Sequence, residues 1–575
     1  MRNRFTSKNS ILLFIVLLIS LQSQAQAPAW QMAIAAGNQV FAYNSVANVT
    51  TTDAVGNVYV AGSFSGTATF GSTTLVSAGT YDMFVAKWSP ATGNFVWAMQ
   101  GGGSNGNGGA EAKAIAVSGM SVYVAGSFTG ARAFFGSTTL TNAGAGYKDL
   151  FVSKLIDAGT TASFTWTQYA GGTRDEEVLG LAIDENNLYL AGGFSSPIVS
   201  IGTTTLATTG SGNGFVAKLV DNGATSIFGW VQPIVGASPI EVTALAVHAN
   251  DVYITGFFYG TASLGGATLT SAGGTDIFVA KLANQGSIAT LQWALPLGGA
   301  ANESSSGLAL QGDNLYIAGT FNGTSASIGS ITFTSSGAAD ACLIKLTDGG
   351  TSGLVGWVQR VGGALGDIGV QVAVHGNAVY LLGYFGLGSS TTASATATAG
   401  GTTLTTVGGC DIFLAKFADA GNSSNLTWAQ QAGSGDIDVA GGLALSGERV
   451  YVSGTFNGTP LLLGNITLPK AYNNGTGSAF LASLADVTLP TKVPMLPARP
   501  NIYPNPGHGT VTISVPASAG LAAFTLLDAL GRVVRTQAAA AGADYPLDLT
   551  GLVPGVYALR MQAGEALATQ KLVIE

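Results

Sequence analysis

The chain reads as all-β: seven copies of one four-stranded unit closed into a seven-bladed β-propeller, followed by a small immunoglobulin-like β-sandwich. Three observations predict this. The motif Val-Tyr-x-x-Gly-x-Phe or a close variant recurs seven times, with tyrosines at Tyr59, Tyr123, Tyr189, Tyr253, Tyr316, Tyr380 and Tyr451 separated by 64, 66, 64, 63, 64 and 71 residues. Such a period marks one supersecondary unit copied in tandem. Three further runs recur in phase: a short apolar run before each Tyr strand (AIAV at Ala114, ALAV at Ala244), an Asp-x-Phe-Val-Ala-Lys strand after it (Asp82, Asp149, Asp276), and a Trp strand (Trp30, Trp97, Trp166, Trp230, Trp293, Trp357, Trp428). Composition agrees, because charged residues are only 9% against an average of about 25%, while 82 Gly and 17 Pro punctuate the β-like runs.

In chain order, Arg2, Arg4 and Lys8 precede an apolar run, Ile11 to Leu21, and the small-residue stretch Ser23 to Ala27. This is the pattern of a secretory signal peptide, cut after Ala25 so that Pro28 does not border the scissile bond. A membrane anchor would need about 20 apolar residues. Removing the three basic residues takes the formal charge from −8 to −11, and the missing basic footprint argues against nucleic-acid binding.

Residues 26–486 carry the units. A four-stranded sheet of this size cannot bury both faces alone, but sheets stacked around an axis can. A β-helix has much shorter coils than this period, and immunoglobulin-like domains need about 100 residues each. If the AIAV-type run is innermost and the Trp strand outermost, the last unit lacks its Trp strand and Trp30 is left over at the mature N-terminus. Trp30 is therefore expected to complete the last unit, beside the strand of Phe480, and so remove free sheet edges. A Thr-rich hairpin is inserted after each Tyr strand, as in ATFGSTTL at Ala68 and VSIGTTTL at Val199. Residues 487–500 hold Pro490, Pro494, Pro497 and Pro500 and read as a stiff linker. Residues 501–575 show alternating apolar residues and turns of a small sandwich.

The order FVAKL, Trp, Gly-Gly, acidic residue, IAV and VYVAG resembles the SBBP-type β-propeller repeat over residues 28 to 484. That resemblance implies the architecture and no reaction. YPNP at Tyr503, GRVV at Gly531 and GLVPGVYALR at Gly551 resemble the type A sorting domain of the type IX secretion system. The resemblance implies Sec export, passage across the outer membrane, removal of the domain, and a secreted or surface location with the secretion machinery as partner.

Candidates for chemistry are few. His248 and His375 occupy matching turns of non-adjacent units and His508 lies in the C-terminal segment, so no metal cluster, Ser-His-Asp set or phosphate loop emerges. Cys342 takes the place of the repeated Phe and reads as a buried apolar residue; whether it meets Cys410 stays open. The repeated Lys87, Lys154, Lys218, Lys281, Lys345 and Lys416 read as stems packed over neighbours, with the ammonium reaching solvent or an aromatic face. The Trp residues read as packing between units.

The site candidate is acidic. Glu111, Glu177, Glu241, Glu303, Asp367 and Asp438 follow the Gly-Gly turn just ahead of the inner strand in six units. They would form a ring at one mouth of the channel, for which calcium is the fitting cation; no other cofactor is expected. The reading that outweighs a shared site is that each caps turn amides of its own unit, because perturbed carboxylates mark sites only statistically. The reading for the whole is a non-enzymatic binding or adhesion scaffold that takes an extracellular glycan or protein. A propeller glycosidase or lyase would need two carboxylates across a cleft, hinted at only by Arg174 to Glu177, and a structural matrix component would need no discrete ligand.

Overall fold

A computed structural model describes residues 26–39, 44–103, 108–144, 146–323, 326–388, 394–470, 476–486, 501–514, 522–528, 533–539, 544–563 and 566–575. The expected signal peptide 1–25 and the expected linker 487–500 lie outside them. The described residues are strands and turns with no helix, and the chain divides into two compact units, 1–486 and 487–575.

The first unit repeats one antiparallel sheet. In its second copy the strands are Ala110–Ser118, Ser121–Phe128, Asp149–Asp157 and Ala162–Ala170, hydrogen-bonded in that order. Tyr123 lies opposite Lys154, and Lys154 opposite Trp166. The three residues that recur most conspicuously therefore stand abreast on one face of the sheet. Cross-strand neighbours are the unit of sheet stabilisation, which accounts for copying them together. The Gly of the Tyr motif has an equally local cause. A Cβ on Gly126 would stand 1.9 Å from the Glu111 carbonyl oxygen, and one on Gly256 1.9 Å from that of Glu241. The first strand bulges there toward its neighbour and leaves no room for a side chain.

The first strands of the seven copies are Ser45–Thr52, Ala110–Ser118, Glu176–Asp184, Ile240–His248, Glu303–Gln311, Gly366–His375 and Asp438–Ser446. Each contacts the next, and the seventh contacts the first. The seventh sheet takes its fourth strand from the other end of the chain: Trp30–Ala35 runs antiparallel to Ser478–Ala485, with Ala35 opposite Phe480. This is the position the strand count requires for Trp30.

The inserted hairpins act at the outer edge. The hairpin strand Arg132–Phe135 bridges the preceding copy's fourth strand at Phe134 and Gly102, Thr396–Ala399 pairs with Val361–Gly363, and Leu264 to Ala262 pair with Ile234 to Gly236. Each such hairpin clasps an edge that would otherwise offer free backbone groups. Its tight turn needs a left-handed residue: Gly202 has φ of 60°, and a Cβ there would meet Phe228 at 2.6 Å.

In the second unit, a three-stranded sheet (Asn501–Tyr503, Thr510–Ser514, Asp544–Asp548) and a four-stranded sheet (Val533–Ala539, Ala522–Leu527, Gly555–Ala563, Ala566–Ile574) share one apolar core. Ile513, Phe524, Leu559 and Leu572 are buried in it. Tyr557 packs there with its hydroxyl donating to Val553 O at 2.8 Å. Asn505 ties the segment to the last strand, accepting from Val573 N and donating to Lys571 O.

Candidate functional site

The repeated lysines do not reach solvent. Lys87, Lys154, Lys218, Lys345 and Lys416 are all under 10% exposed, which corrects that part of the expectation; the aromatic contact holds, with Nζ 5.4 to 5.8 Å from the ring of the unit's own Tyr in five copies. Each ammonium except that of Lys218 binds an acid at the end of the next copy's third strand. Asp157 accepts from Lys87 Nζ at 2.6 Å, Tyr59 OH at 2.6 Å, Trp97 Nε1 at 3.0 Å and Gly159 N at 2.9 Å. Asp221, Asp348 and Asp419 repeat this on Lys154, Lys281 and Lys345 with the corresponding Tyr and Trp. Asp486 takes Lys416 and Tyr380. Burial works to raise the Asp157 and Asp221 carboxyls, yet the bonds from Lys and Tyr hold both below the ordinary range; Asp348 is held down to about 2.

These acids were missed in the sequence, although Lys-x-x-Asp/Asn recurs at Lys154, Lys218, Lys281, Lys345 and Lys416. Residues three apart on a strand face opposite sides, so the spacing hides that each Lys meets the acid of the following copy. The third interface has Asn284 instead, 3.5 Å from Lys218, and burial lowers that ammonium. The closing interface has neither partner: Ser483 stands at the Lys position and Pro90 at the acid position, and Thr50 Oγ1 bonds Ser453 Oγ there instead.

The six carboxylates of the expected ring fall into two environments. Glu303, Asp367 and Asp438 are fully buried and accept turn amides. Gly299 N donates to Glu303 Oε2 at 2.7 Å, Gly363 N and Gly386 N to Asp367 at 2.6 and 3.0 Å, and Ser434 N and Asn457 N to Asp438. Their counterpart in the third copy is Glu176, not Glu177, taking Gly172 N and Ser196 N at 2.7 and 3.0 Å. Glu111, Glu177 and Glu241 stand one residue later in register, opposite Ser127, Gly193 and Phe257. A one-residue offset turns a side chain to the other face, so the six divide into three buried caps and three half-buried carboxylates.

The latter three belong to consecutive copies and have lysines among them. Lys113 Nζ lies 2.9 Å from Glu111 Oε1, which also accepts from Asn48 Nδ2 at 2.9 Å, and Lys148 Nζ lies 3.1 Å from Glu177 Oε2. Glu241 has no such cation in contact. Burial first, then the Glu177 charge, raise its carboxyl above the ordinary value, with Lys148 and Lys113 opposing. Glu177 and Glu241 line a cavity of ≈ 200 Å³ together with Asp175, Phe194, Ser195 and Phe257. A second cavity of ≈ 160 Å³ is lined by first strands of six copies, from Val49 and Lys113 through Leu181, Thr243 and Ser306 to Gln371.

Other candidates do not assemble. Among the described residues no group of three or more His, Cys, Asp or Glu is placed to hold a metal ion. His248 and His375 are exposed at strand ends, and the His508 ring lies against Glu575, with Nδ1 2.8 Å from its carbonyl oxygen. Cys342 and Cys410 are both buried free thiols.

Residues 501–575 match the family model described as the secretion system C-terminal sorting domain. That domain directs export by the type IX system, so the protein is secreted or on the outer-membrane surface, and the secretion machinery is its partner through this segment. No curated protein matches the chain. Similar solved structures include a protein of unknown function from Dyadobacter fermentans, 10% identical over 79% of this chain and 98% of that one, with a TM-score of 0.35. A glycoside hydrolase family 32 protein from Bifidobacterium adolescentis is 10% identical over 78% and 79%, with a TM-score of 0.24.

Proposed function

We propose that this exported chain is a seven-bladed β-propeller of SBBP-type repeats that serves as a non-enzymatic binding or adhesion scaffold at the cell surface. Residues 26–486 are the working body, and residues 501–575, an immunoglobulin-like sandwich, are its removable sorting signal. The closed succession of seven first strands and the completion of the seventh sheet by Trp30–Ala35 support the propeller.

The observation that carries the binding role is the division of the carboxylates. The repeated acids are consumed within the body, by lysines or by turn amides. Glu111, Glu177 and Glu241 break the repeat, and Glu177 and Glu241 line one cavity. Three carboxylates interleaved with Lys113, Lys148 and Asn48, beside Phe257, offer both hydrogen-bond signs and an apolar surface, as recognition of a polyhydroxylated glycan requires. The lysines supply the positive charge that calcium would otherwise bring, so the site works without a cofactor. Incubating the full chain with a polysaccharide array tests this. Retention of a glycan that weakens in Glu241→Gln, with no change in the glycan, is expected. Shortened products would overturn the scaffold in favour of a glycosidase or lyase using Glu177 and Glu241, and no retention on any glycan would leave a matrix component.

A further inference from the structure

Four interfaces between copies bury carboxylates in pairs. The Asp that opens the third strand of one copy stands beside the acid that opens the next copy: Asp149 beside Glu176, whose N–H donates to Lys148 O; Asp276 beside Glu303, both next to Gly298; Asp340 beside Asp367, next to the Ala339–Gly366 pairing; and Asp411 beside Asp438, whose N–H donates to Cys410 O. All eight side chains belong to residues no more than 2% exposed. The glycine of the preceding turn makes the space. A Cβ on Gly298 would stand 2.6 Å from Asp276 Oδ1 and 2.6 Å from Glu303 Oε2, and Cβ atoms on Gly171, Gly362 and Gly433 would likewise run into Asp149, Asp340 and Asp411.

Among the described residues the hydrogen bonds leave at least one oxygen unpartnered at every pair. The strand Asp uses Oδ2 to accept a backbone amide, from Ala143, Ala272, Ser336 or Val407. Its Oδ1 has no partner in all four cases, and Glu303 Oε1 has none either. An ionised carboxylate only accepts, so two facing carboxylates have no donor between them, and an unmet buried acceptor is costly. The chain contains its own controls. Where the second acid is replaced by Ala110, Asp82 Oδ1 accepts Gly103 N at 3.1 Å and is satisfied. Where it is replaced by Ile240, the strand position is Asn213, whose amide nitrogen, oriented correctly, donates to the carbonyls of Gly212 and Gly236. At the closing interface the two positions are Ser478 and Ser45. The position thus carries a donor, or an acid with an amide to accept, wherever no second acid is present.

We infer that each of the four pairs binds one proton in the folded state, held between the strand Asp Oδ1 and the neighbouring Glu176, Glu303, Asp367 or Asp438. Groups facing the pairs are few. Arg360 Nη1 lies 3.4 Å from Asp340 Oδ2, on the oxygen already in use. Cys342 faces Glu303 and Asp340 as a neutral thiol, Cys410 faces Asp367, Asp411 and Asp438 likewise, and Lys470 with Asp436 lies toward Asp438. Lys148, next to Asp149, turns away to Glu177. Burial raises all eight carboxyls, with Asp149, Glu303, Asp367, Asp411 and Asp438 pushed up to about 7. A raised folded value means that the folded chain holds a proton the unfolded chain has released. The stabilisation is complete below about pH 4, the ordinary carboxylate range, and is lost as pH rises toward 7. Within that window each pair lowers the folding equilibrium constant about tenfold per pH unit.

Infrared spectroscopy of the full chain tests this without a variant. A protonated-carboxyl carbonyl band at pH 6, unchanged by a chelator, is expected; its absence would overturn the inference. Asp276→Asn then places a permanent N–H donor where the proton sits. It should weaken the band and remove one of the four tenfold factors from the pH dependence of the urea midpoint. Glu303→Gln gives the same readout from the facing side. A midpoint that rises with calcium and falls with chelator, with no carboxyl band, would show a cation in place of the proton.

Discussion

Replacing Asp157 by Ala removes one acid from the interface between the first two copies. The Lys87 ammonium would keep only the Gly159 carbonyl, at 3.5 Å, and the Trp97 N–H would lose its acceptor. Deleting one partner of a buried ion pair costs about 3–5 kcal/mol, because the remaining charge stays out of water. Asp157→Asn should cost less, about 1–2 kcal/mol, since one oxygen still accepts. The third interface already shows that arrangement, with Asn284 Oδ1 accepting from Trp230 at 3.0 Å and Nδ2 donating to Tyr189 OH at 3.0 Å. The reciprocal change, Asn284→Asp, gives Lys218 a counter-ion and should stabilise by about 1 kcal/mol. Urea denaturation followed by Trp fluorescence reads all three. Exchanging both partners, Lys87→Met with Asp157→Leu, should recover most of the Ala loss, as apolar replacements of buried pairs do. A loss below about 1 kcal/mol in Asp157→Ala would refute the reasoning, and so would a double variant no better than the single.

The two carboxylate classes titrate in opposite senses: Asp157, Asp221, Asp348 and Asp419, held low, stabilise above about pH 4 and lose this as pH falls toward 2. With the paired acids losing their contribution toward pH 7, the urea midpoint should peak near pH 4 to 5, and a plateau up to pH 8 would contradict this. A thiol reagent should label neither Cys342 nor Cys410 in the native chain and both in urea, because both are buried and unpaired. Gly126→Ala drives a Cβ into the Glu111 carbonyl and should cost about 3 kcal/mol or more, while Gly229→Ala, with nothing nearer than 3.6 Å, should stay within about 0.5 kcal/mol by the same denaturation assay. Mass spectrometry of the surface form should find a C-terminus between Val487 and Pro500, never before Asp486, because Asp486 is the acid for Lys416.

The local pattern is legible in the residues alone, because strand chemistry repeats wherever the unit repeats. Tyr, Lys and Trp stand abreast in one sheet, so a single period carries all three, and the count of Trp strands alone assigns Trp30 to the last copy. The sorting segment was equally legible, since its turns and alternating strands lie within 75 consecutive residues matched by one family model. Contacts between copies were hidden. The Lys-x-x-Asp spacing joins residues on opposite faces of one strand, whereas the true partners lie about one period apart. The acidic positions were misaligned by a single residue, and in a strand that residue decides between a buried cap and a cavity wall. Only the tertiary structure sorted Glu176 from Glu177 and set Asp276 against Glu303. Facing and burial arise when two sheets pack, and neither is a property of either strand alone.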